Sequence, residues 1–160
     1  MGERPFVLNR ENPYRVLTSL DAGNVGMFET EQVEILIVEA DEAFRRNLSE
    51  RLRSDGAVVF EAGNEPEARD IAQRHNIDVA LLGGKGISQS GLTLLRFLKE
   101  SRPMIEVIML SLSENHSLYV SIEAMKLGAF DDILIPCDIK TLLDRIHAAS
   151  RRKKEKEETM

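Results

Sequence analysis

The chain holds one cysteine, no tryptophan and three histidines in 160 residues. A single cysteine, Cys137, excludes an intramolecular disulfide framework, and no Cys/His spacing suggests zinc. Beside a strand end, Cys137 reads as a small buried hydrophobe. No apolar run approaches the ~20 residues needed to span a bilayer. The N-terminus lacks the apolar core of a signal peptide, so a cytoplasmic protein without membrane attachment is expected. Positive charge is also short: 21 Lys+Arg against 27 Asp+Glu leave a net charge of −6, which argues against direct nucleic-acid binding. What is present, 42% hydrophobic and 30% charged residues, is the mixture of an ordinary globular domain. The length suffices for one domain with a full core and tails.

Residues 1–32 carry Pro5, Pro13, Gly23 and Gly26 without periodicity and read as a flexible or loosely docked arm, with Phe6-Val7-Leu8 and Val16-Leu17 as short apolar groups. The pattern sharpens at Val33. Glu34–Val38 is a short apolar run, as for a strand covered on both faces. Asp41 then caps a helix with the stripe Phe44, Leu48 and Leu52, stopped by Gly56. Further strands are predicted over 57–60, 78–82, 105–110 and 132–135. Between them lie helices marked by Asn64 with Ala68, Ile71 and Ala72, by Leu92, Leu95 and Leu98, and by roughly 116–127 closed at Gly128. A last helix carries Ile139, Leu142, Leu143 and Ile146. Five strands alternating with five helices imply an α/β fold: a flavodoxin-like, doubly wound parallel sheet in the order 2-1-3-4-5, with helices on both faces. The domain spans 33–150. Residues 151–160 read as a solvated, charged tail extending the last helix.

Several stretches together are similar to one family. They are Ile35-Leu-Ile-Val38 followed by acidic residues, Gly91-Leu92 with Leu94-Leu95 and Lys99, Val107-Ile-Met-Leu-Ser111, and Ala124-Met-Lys-Leu-Gly-Ala-Phe-Asp131 with Ile135-Pro136. From about Val33 to Ala149 the chain resembles the receiver domain of bacterial two-component response regulators. The resemblance implies an aspartate at the end of the third strand that accepts a phosphoryl group from a partner kinase. Acidic residues after the first strand would hold Mg²⁺, a hydroxyl residue after the fourth would bond the phosphoryl oxygen, and a lysine before the proline would pair with it.

Laid on this chain, that set is mostly replaced. Gly83 stands at the phosphoacceptor position, at the carboxyl end of a strand where ligands of such sheets gather. Glu39 keeps the first acidic position, Ala40 takes the second, and Asp41 serves as the helix cap. Ser111 keeps the hydroxyl, Ile135 takes the lysine position, and Asp132 takes the aromatic position of the fifth strand. Pro136 is retained, and the resemblance implies a cis Ile135-Pro136 bond. The residual pocket is then Glu39, Ala40, Asp41, Gly83, Ser111 and Pro136. Replacing the acceptor, one metal carboxylate and the lysine removes charge of both signs, so a pseudo-receiver is expected, with no catalytic residue, no enzyme activity and no cofactor.

The expected function is a stand-alone, phosphorylation-independent interaction module in signal transduction. Its partner would be a protein, such as a histidine kinase or a downstream effector, or a second copy. The resemblance points to the face of helix 4, strand 5 and helix 5, with Tyr119, Ile122, Glu123, Lys126, Asp132, Lys140 and Asp144 as contacts. The alternative is a phosphorelay regulator that uses a displaced carboxylate, Glu39 or Asp41, with Mg²⁺. Gly83-Gly84-Lys85-Gly86 invites a phosphate-loop reading, but Val79 and Gly86 stand where that loop needs a glycine and a Ser or Thr. His75, His116 and His147 fall on separate helices, and Ser88, Ser90 and Ser113 read as loop polars.

Overall fold

The computed structural model describes residues 32–83, 89–115 and 117–159. Residues 1–31, 84–88, 116 and 160 lie outside those described, and with them the arm reading and that of Ser88. Ten main elements alternate: β1 (Glu34–Val38), α1 (Glu42–Ser54), β2 (Val58–Ala62), α2 (Glu65–Arg74), β3 (Val79–Leu82), α3 (Gln89–Ser101), β4 (Glu106–Leu112), α4 (Leu118–Lys126), β5 (Asp131–Ile135) and α5 (Ile139–Glu158). All strands are parallel, in the order β2-β1-β3-β4-β5. This is the doubly wound sheet expected.

Side chains alternate across each strand and so divide the core in two. Leu36, Ala80, Leu82, Val107 and Met109 pack against Ala68, Ala72, Leu95, Leu98 and Ala124 of α2, α3 and α4. Ile35, Ile37, Leu81, Ile108, Leu110 and Ile133 pack against Leu48, Leu52, Leu142 and Ile146 of α1 and α5. Burying either set contributes roughly 1.5–3 kcal/mol per large side chain.

Local chemistry starts and stops the helices where the sequence predicts. Asp41 Oδ1 accepts from the Phe44 amide at 3.1 Å, and Asn64 Oδ1 accepts from the Glu67 amide at 2.9 Å. Gly56 and Gly128 follow α1 and α4 at φ of +99° and +103°, a left-handed conformation that glycine reaches without steric cost. Strand ends differ. β2 runs on to Ala62 because Glu61, polar in a strand pattern, points outward to Arg45 and Arg53 at 3.2 and 3.4 Å. β4 runs on to Leu112 because Ser111 and Leu112 pair with Leu134 and Ile135 of β5.

Beyond 150 the chain extends the last helix as expected and departs from a solvated tail at Lys153. α5 continues through Glu158, and Lys153 is only 2% exposed. Leu142, Ile146, Ala149 and Lys153 share the inward stripe of α5, so the helix phase carries the lysine under the sheet. There Lys153 Nζ donates to Asp78 Oδ1 at 2.9 Å and Asn76 Oδ1 at 3.2 Å, and pairs with Glu157 Oε2 at 3.1 Å. Asp78 Oδ2 in turn accepts from the Glu34 amide at 2.8 Å, at the start of β1. The folded domain therefore extends past the boundary drawn at 150.

Candidate functional site

β1 and β3 are neighbours whose following segments leave toward opposite faces, so the crevice beyond their carboxyl ends is the natural site of this sheet. The ladder runs into it: the Glu39 amide donates to Ala62 O at 3.0 Å, and the Gly83 amide donates to Val38 O at 2.6 Å. Glu39 is 4% exposed. Its Oε2 accepts from the Asp41 amide at 2.9 Å, and its carbonyl accepts from Arg45 Nη1 at 2.7 Å. Its carboxylate lies against Gly83. A Cβ at position 83 would stand 2.0 Å from Glu39 Oε1, 2.8 Å from Cδ and 2.9 Å from Cβ. The glutamate thus occupies the space into which a side chain at 83 would grow.

The remaining pocket residues do not converge on that carboxylate. Ala40 is exposed, and Asp41 is exposed with one oxygen engaged as the α1 cap. Ile135 is 8% exposed and joins the α1–α5 side of the core. The Ile135-Pro136 bond is cis. Ser111 faces sideways: its hydroxyl donates to Asp132 Oδ1 at 2.7 Å, while Ser121 of α4 donates to Asp132 Oδ2. Asp132 was expected on the partner face. Instead it is half-buried and takes a hydroxyl on each oxygen, because alternation along β5 turns it beneath α4 while Ile133 and Ile135 enter the opposite core.

Residues 35–147 match the response regulator receiver domain family. The chain belongs to that family. It is 32% identical over 131 residues to the nitrate/nitrite response regulator NarP of Escherichia coli, covering 80% of this chain and 60% of NarP. Among solved structures it resembles a receiver domain from Clostridium thermocellum at TM-score 0.69 and 31% identity, covering 76% of this chain and 97% of the other. A CheY-like receiver from Methanospirillum hungatei gives TM-score 0.72 at 25% identity, covering 79% and 99%. The chain spans 60, 53 and 35% of the first three curated relatives it matches.

Set in a receiver domain, the donor groups do not fit a magnesium ion. That ion requires several hard oxygen ligands in near-octahedral order. Here Ala40 and Gly83 offer no side-chain oxygen, Asp41 caps α1, and among the described residues Glu39 is the one that brings a carboxylate to the crevice. Among the described residues no group of three or more His, Cys, Asp or Glu is placed to hold a metal. His75 stacks on Phe60 at 4.2 Å, and His147 lies on α5. No helix is long and apolar enough to cross a membrane among those residues.

On α4, Tyr119 and Ile122 are 62 and 47% exposed and Lys126 is exposed, as are Lys140 and Asp144 on α5. Glu123 pairs with Lys126 at 3.6 Å, and Lys140 with Asp144 at 3.4 Å. Sequence reasoning missed three neighbours, Leu118, Met125 and Leu134, which are 68, 48 and 44% exposed. A signal was available. Val120, Ala124 and Leu127 supply the inward stripe of α4, so Leu118, Ile122 and Met125 form a second apolar stripe on the opposite side.

Cys137 is half-buried and packs against the α1–α5 side of the core. Burial, with the Asp138 charge, pushes its thiol pKa up. Since the thiolate is the nucleophile, Cys137 is expected to react with a maleimide or disulfide reagent at neutral pH several-fold more slowly than a free thiol. A rate equal to that of a small-molecule thiol would contradict the assignment.

Proposed function

We propose that this receiver domain is a protein-interaction module whose docking face, formed by α4, β5 and α5, is presented without phosphorylation. One observation carries the reading: every exposed large hydrophobic among the described residues, Leu118, Tyr119, Ile122, Met125 and Leu134, lies on α4 or β5. Concentration of exposed apolar groups in one place marks a contact surface, whereas scattered ones need no explanation. Charges of both signs accompany it, Glu123 and Lys126 on α4 and Lys140 and Asp144 on α5. Such exposed pairs add little stability by themselves and can exchange partners at low cost. A two-fold arrangement would oppose the acidic and basic groups, so a second copy is the partner the face itself fits. A histidine kinase or downstream effector would use the same apolar stripe. The crowded crevice at Glu39 and Gly83, with no oxygen-rich metal set among the described residues, supports independence from phosphate.

Sedimentation and NMR test this together. Self-association is expected to be the same with and without beryllofluoride and Mg²⁺, with no saturable shift around Ser111. Ile122→Glu, placing a charge in the stripe, should weaken association about tenfold or more. A saturable beryllofluoride response at Ser111, or association indifferent to Ile122→Glu, would refute the proposal.

A further inference from the structure

α4 is held to the domain by little apolar burial. It is nine residues long, and Ala124 is its one fully buried side chain, with Val120 and Leu127 partly buried. A helix this short does not persist by its own propensity, so tertiary ties decide where it sits. A polar tie to the sheet runs through Ser121, whose hydroxyl donates to Asp132 Oδ2. The other oxygen of the same carboxylate accepts from Ser111, at the end of β4. One carboxylate thereby joins the end of β4, the middle of β5 and the inner side of α4. An ionised carboxylate offers about four lone-pair sites, and hydrogen bonds to it are stronger than those between neutral groups.

We propose that Asp132 is a positioning residue, a clamp that fixes α4 on the sheet and uses the Ser111 hydroxyl for that purpose. Two consequences follow from the placement. Leu134 lies two residues along β5 on the same side as Asp132, while Leu118, Ile122 and Met125 ride on α4. The clamp therefore sets the spacing between the two halves of the apolar surface. Ser111, directed to Asp132, is part of the clamp, so the pose of α4 is established by side chains of the chain itself. The consequence for docking rests on the function proposed above; the clamp does not.

Amide hydrogen exchange on the whole chain tests the clamp. Ser121→Ala and Asp132→Ala are expected to speed exchange of the α4 amides from Ser121 to Lys126 about tenfold or more, with β1 and β3 amides unchanged. Ser121→Thr, which keeps the hydroxyl, should restore slow exchange. Unchanged α4 exchange in both alanine variants overturns the clamp. An equal acceleration in β1 and β3 also overturns it, because that reports only global destabilisation. If α4 responds as expected while Ile122→Glu leaves association intact, the clamp stands and the docking reading fails.

Discussion

Lys153→Met is expected to lower the unfolding free energy by about 3–5 kcal/mol, the range for breaking a buried ion pair from one side. Methionine keeps the length and apolar stem of lysine, so lost packing is small. What changes is the environment of Asp78. Its side chain is 14% exposed and pairs with an ammonium that is itself 2% exposed. Without Lys153 the carboxylate retains the Glu34 amide on Oδ2 and loses its cation on Oδ1. Asn76 and Glu157 lose a partner in the same step. In a domain of this size such a loss corresponds to a fall in Tm of roughly 10 °C or more. Adding Asp78→Asn should recover a substantial part, because an amide there still accepts from Glu34 and no longer buries a lone charge. A denaturant titration showing less than about 1 kcal/mol for Lys153→Met would remove the pair from the account of stability.

The pH dependence has a definite sign. Burial presses the Lys153 pKa down, and the hydrogen bonds and charges of Asp78 and Glu157 more than offset it, so the folded-state value lies above the ordinary lysine value. A group whose folded pKa is raised contributes fully below its unfolded pKa, near 10.4 for lysine, and loses that contribution as pH rises through the folded value. The lysine side of the pair should leave the stability gap between wild type and Lys153→Met flat across neutral pH and narrow it in strongly alkaline solution. A gap that narrowed between pH 6 and 8 would contradict this.

Gly83→Asp, which puts an aspartate where the resemblance places the acceptor, is expected to destabilise the domain by roughly 2–4 kcal/mol and to leave it without phosphoryl transfer. The new Cβ would stand 2.0 Å from Glu39 Oε1 and 2.9 Å from Glu39 Cβ. Swinging the carboxylate tip relieves the first contact but not the second, and it sacrifices the bond from the Asp41 amide. The aspartate then adds a second negative charge beside a glutamate that is 4% exposed, with no lysine at 135 to balance it. Gly83→Ala isolates the steric part. Glu39→Ala in the Gly83→Asp background should restore most of the stability yet still yield no labile acyl-phosphate with acetyl phosphate and Mg²⁺. A phosphorylated Gly83→Asp protein of wild-type stability would defeat both halves of the argument.

Much of the fold was legible in local pattern. The runs at Ile35–Val38 and Val107–Leu110 are apolar on both faces, which only a sheet covered by two helix layers requires. Gly56 and Gly128 stop helices for the backbone reason that makes glycine readable there. The crevice residues Glu39, Gly83 and Ser111 could be placed at strand ends from the same pattern. Their relations could not. Glu39 and Gly83 are 44 positions apart in the chain, and only the pairing of β1 with β3 sets the carboxylate against the glycine. Asp132 read as a surface contact because nothing in β5 alone reveals hydroxyls arriving from β4 and α4.

Lys153 shows the division most directly. Its helical phase continues the stripe of Leu142, Ile146 and Ala149, so its inward direction was encoded in the sequence. Its charge pointed the other way, since lysine is almost never fully buried unless paired. Asn76 and Asp78, which make burial tolerable, are brought beneath α5 only when the sheet assembles. By itself the sequence determined the alternation of strands and helices, the caps, the two-layer core and the glycine at 83. Tertiary structure alone decided which charges are buried, which hydroxyls are engaged and which apolar stripe of α4 remains uncovered. The reason is physical: periodicity acts between near neighbours along the chain, whereas the desolvation of a polar group depends on partners that only folding brings within hydrogen-bond distance.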